Sequence, residues 1–151
     1  HWAANKGRDK VVDYLLKKGA QVNLRDKNDA TALHDGAIAK SLPVIRLLLA
    51  AKIEVNQRDN KKRTALHHVA LSGKSEIVKA LIEAGVNVDL ADIEGETALH
   101  NAAYRDHTKV VKLLLAAAAS SEIKNNKGQT ALDVATKEKS ERVKALLSKG
   151  D

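Results

Sequence analysis

The sequence predicts an all-α protein made of stacked helical repeats, and two observations carry this prediction. Thr-Ala-Leu-His occurs at 31–34, 64–67 and 97–100, and residues 130–133 repeat it with Asp in the last place, always at a step of 33 residues. Apolar residues keep the same step elsewhere, as in the column Leu15, Leu48, Leu81, Leu114 and Leu147. Several independent columns with one period are the signature of a repeat architecture.

The period divides the single predicted domain, residues 1–151, into five units, and each unit shows the same local pattern. Units 1 to 5 are residues 1–25 (truncated), 26–58, 59–91, 92–124 and 125–151 (a C-terminal cap). A Thr such as Thr31 can cap a first helix, and apolar residues three and four apart, as in 44–49, give a second helix one apolar face. Asp, Asn and Gly, as in 92–95, then predict a turn. Each unit is therefore predicted to be helix, loop, helix and protruding hairpin.

Composition limits the class of protein. With 44% hydrophobic and 30% charged residues, the chain is expected to fold. The absence of Cys excludes a disulfide framework, a thiolate zinc site and a cysteine nucleophile. No apolar run reaches the ~18 residues of a membrane span, so we expect no membrane insertion. No signal peptide is visible, which predicts a cytoplasmic or nuclear location.

The repeat resembles the ankyrin repeat family over all 151 residues. The matching features are the 33-residue period, Thr-Ala-Leu-His for the family's Thr-Pro-Leu-His, and hairpin-like ends such as Gly85-Val86-Asn87-Val88-Asp89. The resemblance implies an ankyrin-repeat solenoid of stacked helix-loop-helix units with protruding β-hairpin turns. It also implies that hairpin tips and first helices form a concave binding face.

Several positions depart from the family pattern where it normally has Gly. Asp29 and Lys62 stand at hairpin tips, and Lys52 and Ala118 stand where second helices end, so these residues are expected in a left-handed conformation that Gly adopts more easily. Ser121 occupies a Val column. The junction before unit 5 is therefore expected to be the loosest.

Six histidines raise the question of metal or catalysis. His1, His34, His67 and His100 occupy one repeat column. Neighbouring helices lie ~8–10 Å apart, whereas zinc lies ~2 Å from each ligand, so these side chains cannot share an ion. The resemblance implies that they bond hairpin backbone. With no other constellation, we expect no metal, no cofactor, no catalytic residue and no enzymatic activity.

The sequence predicts instead a non-catalytic protein–protein interaction module that is monomeric. Much of the net charge of +7 comes from lysines on the second helices, but the basic residues at the hairpins favour a partner with an acidic surface. The isolated aromatics argue against nucleic acid as a partner. The predicted protein-binding residues are positions that change from unit to unit, together with basic residues of the hairpins. They are Lys27, Asn28, Ile38, Arg58, Asn60, Lys61, Arg63, Leu71, Ile93, Glu94, Glu96, Tyr104, Arg105, Asn126 and Lys127. Tyr104 and Arg105 are the preferred anchors, since Tyr and Arg are enriched in hot spots.

Two alternatives stay open, together with one modification. The chain could be a targeting or spacer segment of a larger enzyme, channel or effector, or an engineered or reconstructed ankyrin protein. The resemblance also implies that Asn23 and Asn56, each eight residues after a Leu, are candidates for hydroxylation. A hairpin Asn that bonds local backbone is the interpretation we favour.

Overall fold

The structure, a computed structural model, describes residues 1–149 and confirms the all-helical repeat architecture. These residues form ten helices, two in each of the five units. They are α1 (Trp2–Asn5), α2 (Asp9–Lys17), α3 (Ala32–Ile38), α4 (Leu42–Ala50), α5 (Ala65–Ser72), α6 (Ser75–Glu83), α7 (Ala98–Tyr104), α8 (Thr108–Ala116), α9 (Ala131–Lys137) and α10 (Glu141–Ser148).

The helices form two layers. The first helix of each unit packs against the first helix of the next, from α1 to α9, and the second helices do the same from α2 to α10. The core between the layers consists of Leu, Ile, Val and Ala, including the fully buried Leu33, Leu66 and Leu99. Small Ala residues at 37, 70 and 103 are also buried, which allows the helix backbones to approach closely. The part of the chain that the structure describes contains no helix long and apolar enough to cross a membrane.

The predicted Thr caps are confirmed, and each forms a reciprocal capping box. Thr64, for example, lies before α5 in an extended conformation, and its hydroxyl accepts the backbone N–H of His67. The Nδ1 of His67 accepts the Thr64 N–H in return. Two orphan donors at the helix start are thereby satisfied. In unit 5, Asp133 takes the place of His and accepts the Thr130 N–H through a carboxylate oxygen.

The hairpins between units are tight turns, and no strand is assigned within residues 1–149. In the turn of unit 4, the N–H of Asp92 bonds the Glu96 carbonyl, and one Asp92 carboxylate oxygen accepts the N–H groups of Glu94 and Glu96. Asp26, Asp59 and Asn125 repeat this arrangement, so the turns predicted from Asp, Asn and Gly are confirmed.

The expected left-handed positions are also confirmed. Lys52 and Lys62 both have φ of 58°, and Ala118 has φ of 61°. Glycine is required most clearly at Gly95, where φ is 77° and an added Cβ would lie 2.8 Å from the backbone nitrogen of Asn126. Side chains at left-handed positions cost energy, because Cβ crowds the following carbonyl.

Candidate protein-binding surface

The tips of the turns are joined into one ridge by backbone hydrogen bonds. The N–H of Asn60 donates to the carbonyl of Asn28 in the preceding unit at 2.9 Å. The same bond recurs one unit later from Ile93 to Lys61, at 3.0 Å. It recurs again from Asn126 to Glu94 at 2.9 Å. Most of the sequence-predicted tip residues therefore lie on one continuous ridge, which we call the tip ridge (residues 27–29, 60–62, 93–95 and 126–128).

Two arginines predicted as binding residues have structural partners in the turns. Arg58 donates through Nε to the Lys62 carbonyl at 3.1 Å, and through Nη2 to the carbonyl of Ala91 in the next unit. Arg63 lies 3.3 Å through Nε from a carboxylate oxygen of Asp92, whose side chain is only 2% exposed. These guanidinium groups hold turns together, so the free positive charge of the ridge belongs mainly to the exposed Lys27, Lys61, Lys62 and Lys127.

Arg25 shows how this role could have been read from the sequence. Its Nε donates to the Asp29 carbonyl and its Nη2 to the carbonyl of Arg58, as Arg58 does one unit later. The two arginines are 33 residues apart, so their equivalence is visible in the repeat alignment. The direction of their side chains is not visible in the alignment, and Arg58 was therefore predicted to be a binding residue.

The histidine column links neighbouring units, as the resemblance implied. His34 lies 2.9 Å through Nε2 from the Arg63 carbonyl, and His100 lies 3.0 Å from the Gln129 carbonyl. His1 contacts Asp35 at 2.7 Å and the Leu24 carbonyl at 3.1 Å. Within residues 1–149, no three His, Asp or Glu side chains are grouped as a metal site would require.

The asparagine column has a similar structural role. The side-chain oxygens of Asn23 and Asn56 accept the backbone N–H groups of Glu54 and Asn87, at 2.9 and 2.8 Å. Asp89 continues the series by accepting the N–H of Ser120. The expectation of bonds to local backbone is wrong in this respect, because both side chains bond the backbone of the next unit.

Units 3, 4 and 5 enclose a cleft of about 250 Å³ beside the tip ridge. It brings together six of the sequence-predicted binding residues: Arg63, Leu71, Glu94, Glu96, Tyr104 and Lys127. Sequence analysis missed other lining residues, among them Asn101, Lys137 and Glu138. Asn101 and Lys137 lie on the first helices of units 4 and 5, and Glu138 follows directly after α9. The exposed sides of these helices could be assigned only once the helix packing was known.

Tyr104 and Arg105, the preferred anchors, lie side by side at the end of α7. Tyr104 is 47% exposed, and the Arg105 guanidinium lies 5.2 Å from the centre of its ring, within cation–π range. Ile38, Leu71 and Ile93 are also exposed apolar side chains among the predicted residues. The remaining predicted positions Asn28, Asn60 and Asn126 are exposed on the tip ridge.

His68 is the least well satisfied polar side chain near this surface. Its Nε2 is buried and has no hydrogen-bond partner among the described residues. The nearest carboxylate oxygen, of Asp59, is 3.6 Å away. Burial lowers the pKa of His68 to about 4, and His34 and Arg63 act in the same direction while Asp59 opposes them. The side chain is therefore neutral at neutral pH.

The described residues thus form an array of helix pairs, in which buried histidines join neighbouring units and the same turn recurs between units. Proteins built in this way are called helical repeat solenoids. A family model described as ankyrin repeats (3 copies) matches residues 1–92 and 66–151. The chain therefore belongs to the ankyrin repeat family. Repeats of this family are generally non-catalytic modules that bind other proteins.

Two curated proteins show this likeness over short segments. The chain is 49% identical over 45 residues to a mouse protein called "Protein fem-1 homolog A-like", covering 30% of the chain and 7% of that protein. It is 42% identical over 50 residues to zebrafish "Inversin", covering 32% of the chain and 5% of that protein. The chain thus spans only a small part of the length of these relatives.

Proposed function

We propose that the chain is a non-catalytic binding module that holds a protein partner on the tip ridge and the adjoining first helices. The single observation that carries the proposal is the cleft of units 3 to 5, which gathers predicted binding residues from three turns and two first helices. Because units 2 to 5 are joined across each boundary by a backbone and a His hydrogen bond, the backbone positions of these residues are fixed before binding. Preorganisation of this kind reduces the ordering cost of association.

The charge of the surface supports a partner that is acidic where it meets units 2 and 3. Lys27, Lys61 and Lys62 are exposed there, while Asp29 lies 3.8 Å from the Arg25 guanidinium. In unit 4 the ridge changes sign, because Glu94 and Glu96 replace basic residues. Complementary charge accelerates encounter and suppresses wrong partners.

Mapping a captured partner tests this proposal. The whole chain would be immobilised, the proteins it retains identified and purified, and hydrogen exchange of the chain compared with and without each one. We expect new protection in the tip ridge and in α5 and α7, with α6 and α8 unchanged. Protection confined to the second helices would contradict the proposal.

A further inference from the structure

Three first helices present one exposed apolar side chain each at the same repeat position. Ile38, Leu71 and Tyr104 follow one another at steps of 33 residues in the last turns of α3, α5 and α7. They are 50%, 36% and 47% exposed, although the helices that carry them pack side by side. In the outer units this position holds Asn5 and Lys137. The row, which we call the apolar stripe, is therefore confined to units 2, 3 and 4.

The spacing of the stripe follows from the stacking of the helices. Packed helices lie ~8–10 Å apart, so Ile38 and Tyr104, which are two steps apart, are separated by roughly 20 Å. Single exposed apolar residues are ordinary on protein surfaces. The apolar stripe differs from such single residues, because its three side chains are aligned across three units at a regular spacing and border a cleft.

We propose that the apolar stripe, as part of the binding surface proposed above, docks an acidic amphipathic helix of the partner, with large apolar residues at positions i, i+7 and i+14. Seven residues of α-helix rise about 10.5 Å, which matches the step between stacked helices. An extended strand advances a similar distance in three residues. Its side chains alternate between faces, however, so residues i and i+3 lie on opposite faces and cannot both contact the stripe.

The chemistry of the stripe separates a helix from a polyproline segment, which also repeats every three residues at about 9 Å. Proline-rich segments dock into grooves lined by aromatic rings, whereas an amphipathic helix lays its apolar face against any hydrophobic groove. Two of the three stripe residues, Ile38 and Leu71, are aliphatic. The cleft at the Leu71–Tyr104 end, about 250 Å³, is smaller than typical small-molecule sites and suits a partner side chain.

Charge indicates the acidic character of the helix. The tips of units 2 and 3 carry the exposed Lys27, Lys61 and Lys62. The Leu71–Tyr104 end has mixed charge, because Glu94, Glu96 and Glu138 line the cleft together with Lys127 and Lys137. Asp and Glu are therefore expected beside the i and i+7 residues of the docked helix, with no sign required at i+14.

Selection from two displayed peptide libraries on the whole chain tests this inference. One library has a helix-forming background with variable positions at i, i+7 and i+14 and their neighbours; the other is proline-rich and of equal length. We expect binders from the first library, with large apolar residues at the three positions and acidic neighbours at the first two. Their affinity should fall about tenfold or more in Leu71→Lys and in Tyr104→Lys.

Tyr14→Lys is the matched control. Tyr14 is an exposed tyrosine next to a cation, as Tyr104 is, but it lies on the second helix α2. This variant should bind the peptides with unchanged affinity. If Leu71→Lys does not fold, as judged by its circular dichroism, Ile38→Lys replaces it.

The outcomes separate this inference from the proposed function. Binders that are lost in Lys61→Glu but keep their affinity for Leu71→Lys overturn the stripe and leave the binding surface in place. Binders whose affinity changes in neither variant contradict both the apolar stripe and the proposed binding surface. If binders come only from the proline-rich library, or from neither library, the docking of an amphipathic helix on the stripe is contradicted.

Discussion

The Nε2 of His67 lies 3.0 Å from the carbonyl oxygen of Glu96, across the boundary between units 3 and 4. Its Nδ1 lies 3.0 Å from the backbone nitrogen of Thr64, which can only donate. The proton of the neutral ring therefore resides on Nε2 and is donated to Glu96. One buried side chain thus caps its own helix and joins two units, and burial lowers its pKa, which keeps it neutral.

Removing the His67 side chain should weaken both the cap of α5 and the link between units 3 and 4. His67→Ala leaves the Thr64 N–H and the Glu96 carbonyl without partners, which we expect to reduce the free energy of unfolding by about 2–4 kcal/mol. His67→Asn is the control, because its amide oxygen can still cap α5 but cannot reach Glu96; we expect a loss of about 1–2 kcal/mol. Urea unfolding followed by circular dichroism measures both. Equal losses in the two variants would contradict the separate contribution of the inter-unit bond.

His68 should make the protein less stable in acid. Its pKa in the folded state is about 4, below the ordinary value of 6.5, so between these pH values the unfolded chain binds more protons than the folded one. Stability from this group is complete above pH 6.5 and falls as the pH decreases towards 4. At pH 4.5 the loss is about 2–3 kcal/mol.

His68→Asn should remove this part of the pH dependence, since Asn101 occupies the same position in unit 4. The free energy of unfolding of both proteins would be measured at pH 7.0, 5.5 and 4.5. We expect the difference in the free energy of unfolding between the variant and the unsubstituted chain to shift in favour of the variant as the pH falls. A difference that stays constant with pH would show that His68 does not titrate in this range.

Left-handed lysines offer a gain in stability. Lys52 has φ of 58° in the column of Gly19 and Gly85, whose φ values are 84° and 79°. Lys52→Gly relieves the Cβ crowding but adds entropy to the unfolded chain, and we expect a net gain of about 0.5–1 kcal/mol. Lys79→Gly, in the middle of α6, should instead lose about 1 kcal/mol. Thermal unfolding of both variants checks the opposite signs.

The last unit should open before the middle of the array. Ala118 adopts a left-handed conformation at the junction, Ser121 stands in a Val column, and unit 5 has a neighbour on one side only within the described residues. Nearest-neighbour coupling then predicts weaker protection of α10. Amide exchange at Leu146 and Leu147 should be faster than at Leu81 and Ile82. Equal rates at the four amides would argue against a weak junction.

Much of the fold could be predicted because residues with the same structural role recur at equivalent positions in several units. The Thr caps, the Asp turns and the His column were each visible as residues 33 apart. The roles of Arg58 and Arg63 were not, because a guanidinium beside a turn can face solvent or bond a carbonyl, and only the packed turn decides. The cleft was missed for a similar reason: Leu71, Glu94 and Lys127 belong to three units, and their convergence depends on how the units stack.

The final prediction concerns the positive charge of the tip ridge. Arg63 is unsuitable for charge reversal, because it holds the buried Asp92 and its replacement would disturb the turn itself. Lys27 and Lys61 are exposed, so changing both to Glu should leave the fold intact while reversing the local potential.

We expect Lys27→Glu with Lys61→Glu to slow association with a purified partner by about tenfold or more at low salt, because charges near a binding site steer encounter. The effect should shrink at high salt, since screening shortens to ~8 Å at physiological ionic strength. The matched control is Lys79→Glu with Lys112→Glu, two exposed lysines on the second helices α6 and α8 with the same change in net charge. Association rates of the two double variants, measured over a range of salt concentrations, decide the question. Equal slowing would show that only net charge matters, and no slowing in either would place the contact away from Lys27 and Lys61.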